Sequence, residues 1–117
     1  MNIDQIIKEL NITVWTLDLP ENGTVTGAYV SDLLSDVLGN AKEGEVWITI
    51  QSHLNVIAIA TLKDMAAILL PCGKKPDKQV VAKANEEGIL LLGSNDTTFE
   101  LAGKLYRILN NHEKVSD

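Results

Sequence analysis

Apolar residues recur along this chain in two rhythms, and the switches between them mark out its elements. Ile3, Ile6, Ile7 and Leu10 stand at i, i+3, i+4 and i+7, one face of a helix, with Asn2 as a candidate N-cap. That spacing predicts a helix over 3–10. Ile12 to Leu17 is rich in β-branched residues and reads as a strand stopped by the turn cluster Pro20-Glu21-Asn22-Gly23. From Gly27 to Leu109 strand-like and helix-like runs then alternate, with polar residues gathered where each strand-like run ends.

Within that block, Thr24 to Val30 has strand composition, and Gly27 inside it suggests a bulge or a close backbone approach. Leu33, Leu34, Val37 and Leu38 form a helical stripe entered through Ser31 or Asp32 and left through Gly39-Asn40. Val46–Ile50, Ala67–Leu70 and Ile89–Leu92 are the next strands, the last apolar throughout as in the middle of a parallel sheet. The 16 residues from 51 to 66 have the length of a crossover between parallel strands, so Leu54 to Leu62 is assigned to a helix. Asp77 to Glu87 carries Val80, Val81 and Ala84 inward, with Gly88 as C-cap. Thr97 and Glu100 form a capping-box pair opening a last helix, whose apolar face is Phe99, Leu101, Ala102, Leu105, Ile108 and Leu109. The sum is a three-layer α/β/α fold with a mostly parallel sheet of four to five strands. One domain over 1–117 is expected, with its core at 24–109 and a frayed polar tail at 110–117.

Composition narrows the function classes. The chain has 117 residues, 45% hydrophobic and 22% charged, which is ordinary for one globular domain. Its 16 acidic and 10 basic residues give a net charge of −6, a field that repels nucleic acid and anionic membranes. Lys74, Lys75 and Lys78 are the one basic concentration and read as a solvated loop and helix start. A lone Cys72 excludes an internal disulfide, no signal-like start is present, and Lys63 and Asp64 break the most apolar stretch. A cytoplasmic protein is expected.

The run Gly27-Ala28-Tyr29-Val30-Ser31-Asp32-Leu33-Leu34-Ser35-Asp36-Val37 and the run Val46-Trp47-Ile48-Thr49-Ile50-Gln51-Ser52-His53 with Asn55 resemble the DRTGG domain family. Ala66-Ala67-Ile68-Leu69 and Phe99-Glu100-Leu101-Ala102-Gly103-Lys104-Leu105-Tyr106 agree with its standalone members, so the resemblance spans Thr24 to Leu109. It implies a fold similar to the N-terminal domain of HPr kinase/phosphorylase. It also implies a dimerising or regulatory role, like that of DRTGG modules in phosphate acetyltransferases and CBS-containing pyrophosphatases. No catalysis is implied. The literal pentapeptide Asp-Arg-Thr-Gly-Gly is missing here, so no role tied to it carries over. Standalone relatives are often encoded beside iron-hydrogenase genes, which implies a redox or hydrogenase complex as a docking partner.

If the strands are parallel, Ser31, Asp32, Gln51, His53, Asn55, Ser94, Asn95 and Thr97 all follow strand carboxyl ends, where α/β sheets bind ligands. The same residue types also cap helices and close turns. A small anionic metabolite or nucleotide is the ligand class expected. His53 with Asp32 is the one candidate acid/base pair, which would suit an accessory or enzyme of phosphate transfer. No nucleophile is arranged beside it, so no catalytic residue and no cofactor are assigned. His53 and His112 lack any metal-ligand spacing, and no metal is expected. Cys72 reads as a small hydrophobe at a strand end, with a redox sensor beside Lys74 as the other reading.

The helix Leu54–Leu62 is apolar almost all round and must be covered on more than its sheet side. A second copy can do this through Leu54, Val56, Ile57, Ile59 and Ala60, or the first or last helix of the same chain can. The functional expectation is a homodimeric, non-catalytic regulatory or interaction module.

Overall fold

The computed structural model describes residues 1–17 and 23–114, the last four as helix backbone only. Its elements are α1 (Ile3–Glu9), β1 (Thr13–Val14), β2 (Gly27–Val30), α2 (Leu34–Asn40), β3 (Glu45–Ile48), α3 (Leu54–Leu62), β4 (Ala67–Leu70), α4 (Lys78–Glu87), β5 (Leu91–Gly93) and α5 (Thr98–Lys114). The five strands form one sheet in the order β1-β5-β4-β3-β2. β2 through β5 pair in parallel, and β1 closes the far edge antiparallel to β5 with Thr13 opposite Gly93. The fold is α/β with a mixed, mostly parallel sheet, as the alternating runs predict.

The order of the parallel strands decides where the helices go. Because β2, β3, β4 and β5 follow in chain order, right-handed crossovers put α2, α3 and α4 on the same face. The other face is left for α1 and α5. Side chains alternate accordingly: Trp47, Ile68, Leu70 and Leu91 point into the core beneath α2, α3 and α4. Val46, Ile48, Leu69 and Leu92 meet Ile3 and Ile6 of α1 and Leu101 and Leu105 of α5. Burying both faces explains why these strands read as unbroken apolar runs.

The helix ends follow local chemistry. Asn2 Oδ1 accepts from the Asp4 and Gln5 N–H groups, and Gln5 Oε1 accepts in return from Asn2 N at 3.1 Å. Gly88 ends α4 in the left-handed region, at φ +71°. At α5, Thr97 Oγ1 accepts from Glu100 N while Glu100 Oε1 accepts from Thr97 N. That bond holds the Glu100 carboxyl below its ordinary pKa, the backbone N–H of Thr97 being the main cause.

Several expectations are corrected. The strand read over Ile12–Leu17 has only Thr13 and Val14 in the ladder: Trp15 N still donates to Leu91 O, but the return bond from Leu91 N goes to the Thr16 hydroxyl. The strand read over Thr24–Val30 starts at Gly27, the strand read as Ile89–Leu92 is Leu91–Gly93, and α2 begins after Leu33. Neither Ser31 nor Asp32 caps α2: Ser31 Oγ takes the Leu33 N–H, and the Asp32 carboxylate faces the next strand. α5 continues five residues into the stretch read as a frayed tail from Asn110, through Lys114, with Asn110 Nδ2 donating to Tyr106 O at 2.8 Å. The turn read at Pro20 to Asn22 and the tail end at 115–117 lie outside the described residues.

The mid-chain segment is the helix its length predicted, but only part of the expected interface points outward. Val56, Ile57 and Ala60 are buried against the sheet of their own chain, and Ile59 is half-buried. Leu54 is 48% exposed and Leu62 70%, with Ala58 between them. A helix apolar on every side gives no periodic signal of which side faces in. Neither α1 nor α5 covers it, since both pack on the opposite face. No helix among the described residues is long and apolar enough to cross a membrane.

Candidate functional site

The carboxyl ends of the parallel strands lie on one edge of the sheet, and the residues following them fall into two hydrogen-bonded groups. After β2 and β3, Asp32 Oδ1 accepts from the Thr49 hydroxyl and from Ile50 N–H, each at 2.8 Å. Gln51 closes the group: its Nε2 donates to Asp32 O at 3.1 Å and its N–H to Thr49 Oγ1 at 3.1 Å. Thr49 is almost fully buried, so Asp32 supplies the acceptor that its hydroxyl would otherwise lack. Ser31 belongs here through its backbone, whose carbonyl accepts from Trp47 Nε1 at 2.9 Å.

Beside it, Tyr29 donates its hydroxyl to Asp36 at 2.9 Å. The hydroxyls of Ser31 and then Tyr29 hold the Asp36 carboxyl below its ordinary pKa. The bond to Asp36 raises that of Tyr29 in turn.

After β4 and β5 the loops are clamped by backbone bonds. Cys72 N donates to Asp96 O at 2.7 Å and Gly73 N to Ser94 O at 2.8 Å. Cys72 and Gly73 both take positive φ, at 62° and 67°, in a turn closed by Lys74 N to Pro71 O. Cys72 is exposed, not the small buried hydrophobe its neighbours suggest, because that turn swings it off the end of β4. Ser94 Oγ accepts from Asp96 N, and Lys104 Nζ pairs with Asp96 Oδ2 at 2.9 Å.

Of the residues expected to bind a ligand, Ser31, Asp32 and Gln51 are brought together, and Ser94 and Asn95 form part of the second group. Thr97 is engaged as a helix cap. His53 and Asn55 stand exposed at the start of α3, where His53 is the N-cap residue without a side-chain cap bond. No hydrogen bond joins His53 to Asp32, whose Oδ1 is already doubly engaged. The His112 side chain lies outside the described residues.

Thr49 and Trp15 were missed. A threonine inside the run Val-Trp-Ile-Thr-Ile was the available signal for the first, since a buried hydroxyl needs a partner. Trp15 borders a cavity of about 110 Å³ at the ends of β4 and β5, with Lys74, Lys75 and Asn95 on its other sides. A larger cavity of about 530 Å³ lies away from this edge, between the open side of β2 and α5, near Ala28, Val30, Ala102 and Tyr106. Tyr106, an exposed residue of α5, borders it. Among the described residues no three His, Cys, Asp or Glu side chains come together as metal ligands.

Comparison with known proteins places the fold. No protein-family profile matches the chain, and no curated protein matches it. Among solved structures it is similar to the CBS and DRTGG domains of the regulatory region of Clostridium perfringens pyrophosphatase, crystallised with its activator, diadenosine tetraphosphate. The TM-score is 0.67 at 15% identity, over 89% of this chain and 45% of that one. The chain thus spans less than half of that regulatory region, and at this identity the likeness is one of fold.

Proposed function

We propose that this chain is a DRTGG-type regulatory module that senses a small phosphorylated or otherwise anionic molecule, works as a homodimer and catalyses no reaction of its own. The observation that carries this reading is the fold likeness to a regulatory region that was crystallised with a nucleotide activator. The polar groups at the strand ends agree with it. Asp32, Thr49, Gln51 and Thr97 spend their hydrogen bonds on holding loops and helix ends, whereas bond-breaking chemistry needs a nucleophile and a base within reach of each other.

The dimer reading rests on the outer side of α3, where Leu54, Ala58 and Leu62 are exposed. A second copy laid on the same helix by a two-fold axis would cover it.

A thermal-shift series with ATP, diadenosine tetraphosphate and phosphorylated sugars tests the sensing role. A ligand at 100 times its Kd should add about 2.7 kcal/mol of stability to the folded state. A flat response to every anion would remove the reading. Light scattering tests the assembly: a dimer is expected, converted to monomer by Leu62→Glu, and a wild-type monomer at tens of micromolar would refute it.

A further inference from the structure

Where neighbouring parallel strands send their following helices to opposite faces, an α/β sheet opens a crevice at its carboxyl edge. In this sheet β2, β3 and β4 are all followed by helices on one face, and only β5 is followed by a helix on the other. The divergence therefore falls between β4 and β5. The 110 Å³ cavity lies at that point, bordered by Lys74 and Lys75 after β4, Gly93, Ser94 and Asn95 at the end of β5, and Trp15 after β1.

Trp15 Nε1 is the one buried side-chain polar atom without a hydrogen-bond partner among the described residues. Such a donor is costly to leave unmet, and native structures leave few of them. The indole sits over Gly93, where a Cβ would stand 2.5 Å from Nε1, so the ring keeps its place only because that position carries no side chain.

Donors outnumber acceptors at this crevice, where Asn95 and Thr13 are the side chains that can also accept. An indole N–H and two ammonium groups donate and cannot accept, and Ser94 Oγ, which accepts from Asp96 N, keeps its own proton to donate. Neither Lys74 nor Lys75 makes an ion pair among the described residues, and the nearby Asp96 carboxylate is engaged by Lys104. A set dominated by donors, two of them cationic, suits an anionic ligand rich in acceptors. At about 30 Å³ per liquid water, the space would hold three or four waters, or one tetrahedral oxyanion of similar bulk.

We propose that the β4–β5 crevice binds a phosphoryl group, held by Lys74, Lys75 and the Ser94 hydroxyl, and that it gives the Trp15 indole the acceptor it lacks. Binding draws the ring a short way off Gly93 toward the ligand, so Trp15 reports occupancy. This deepens the sensing role proposed above by naming the place and the chemistry.

The test uses the whole chain, titrated by calorimetry with orthophosphate, tripolyphosphate and ATP. Trp15 emission is read in a Trp47→Phe background. Orthophosphate binding identifies a free-ion site, and binding of ATP and tripolyphosphate alone identifies the phosphate tail of a larger ligand. Either supports the proposal if Lys74→Ala/Lys75→Ala weakens it about tenfold or more, as loss of charge-assisted bonds requires. Both lysines are exposed, so that variant keeps the fold. Trp15→Phe should weaken binding too and abolish the emission change. No binding of any of the three, or equal affinity in the lysine variant, overturns the proposal. If ATP stabilises the lysine variant as it does the wild type, sensing stands and this crevice is not its seat.

Discussion

At the β2–β3 end of the carboxyl edge, one carboxylate oxygen of Asp32 satisfies a buried threonine and a backbone N–H, and Gln51 closes the loop over them. At the β4–β5 end, backbone bonds clamp the loops, but an indole donor is left unmet beside two unpaired lysines. Both ends have the polar composition that invites a binding-site reading. Only the second leaves a buried donor unmet, and the difference lies in what each buried side chain is already bonded to.

Asp32→Ala should cause the largest loss. It removes two bonds to a charged acceptor and strands the Thr49 hydroxyl in a buried position, for about 3 kcal/mol in urea denaturation. Phosphate affinity at the other end should not change. A loss below about 1 kcal/mol would mean that the β2–β3 end is not held by these bonds at all.

Gly93→Ala comes next. Its new methyl group must displace the Trp15 ring from a packed position, at a cost of about 2 kcal/mol. Added phosphate should recover part of this loss if the displaced indole finds an acceptor in the crevice. Thr97→Ala breaks the cap of α5 and should cost about 1 kcal/mol in the same assay, with Thr97→Ser nearly silent.

The smallest effect depends on pH. Asp36 has a folded-state pKa lowered by the Ser31 and Tyr29 hydroxyls, so its contribution is full above the unfolded carboxylate range and fades as pH falls through the lowered value. Tyr29 has a raised pKa, so its contribution persists below the ordinary tyrosine value and fades as pH rises past the raised one. Tyr29→Phe should therefore destabilise at neutral pH, with a difference that closes in both strong acid and strong alkali. A difference constant from acid to alkali in pH-resolved denaturation would show that the hydroxyl–carboxylate bond contributes nothing.

Much of the fold was legible because its signals are local. The i, i+3, i+4 stripe of α1, the Thr97–Glu100 box and Gly88 each act within a few residues, and each element stands where its signal placed it. The direction of β1 and its place beside β5 were not legible, since that pairing joins residues near opposite ends of the chain. The bonding of the candidate site residues was hidden for the same reason. The sequence offers Asp32 as a base paired with His53, yet its bonds are set by Thr49 and Ile50, just past the end of the neighbouring strand. Trp15 gained its significance only from facing Gly93. Which of the apolar residues of α3 face outward was hidden because the whole segment is apolar.

The sheet fills from one edge to the other in the order in which the chain is made, except that its final place goes to β1, a strand made near the beginning. Each βαβ unit can condense on the one before it through short-range contacts, while β1 has no partner until β5 exists. Docking of β1 is thus a late step of folding, and weakening it, as by Thr16→Ala, should speed unfolding while leaving the folding rate nearly unchanged. Stopped-flow kinetics showing slowed folding instead would place β1 in the nucleus.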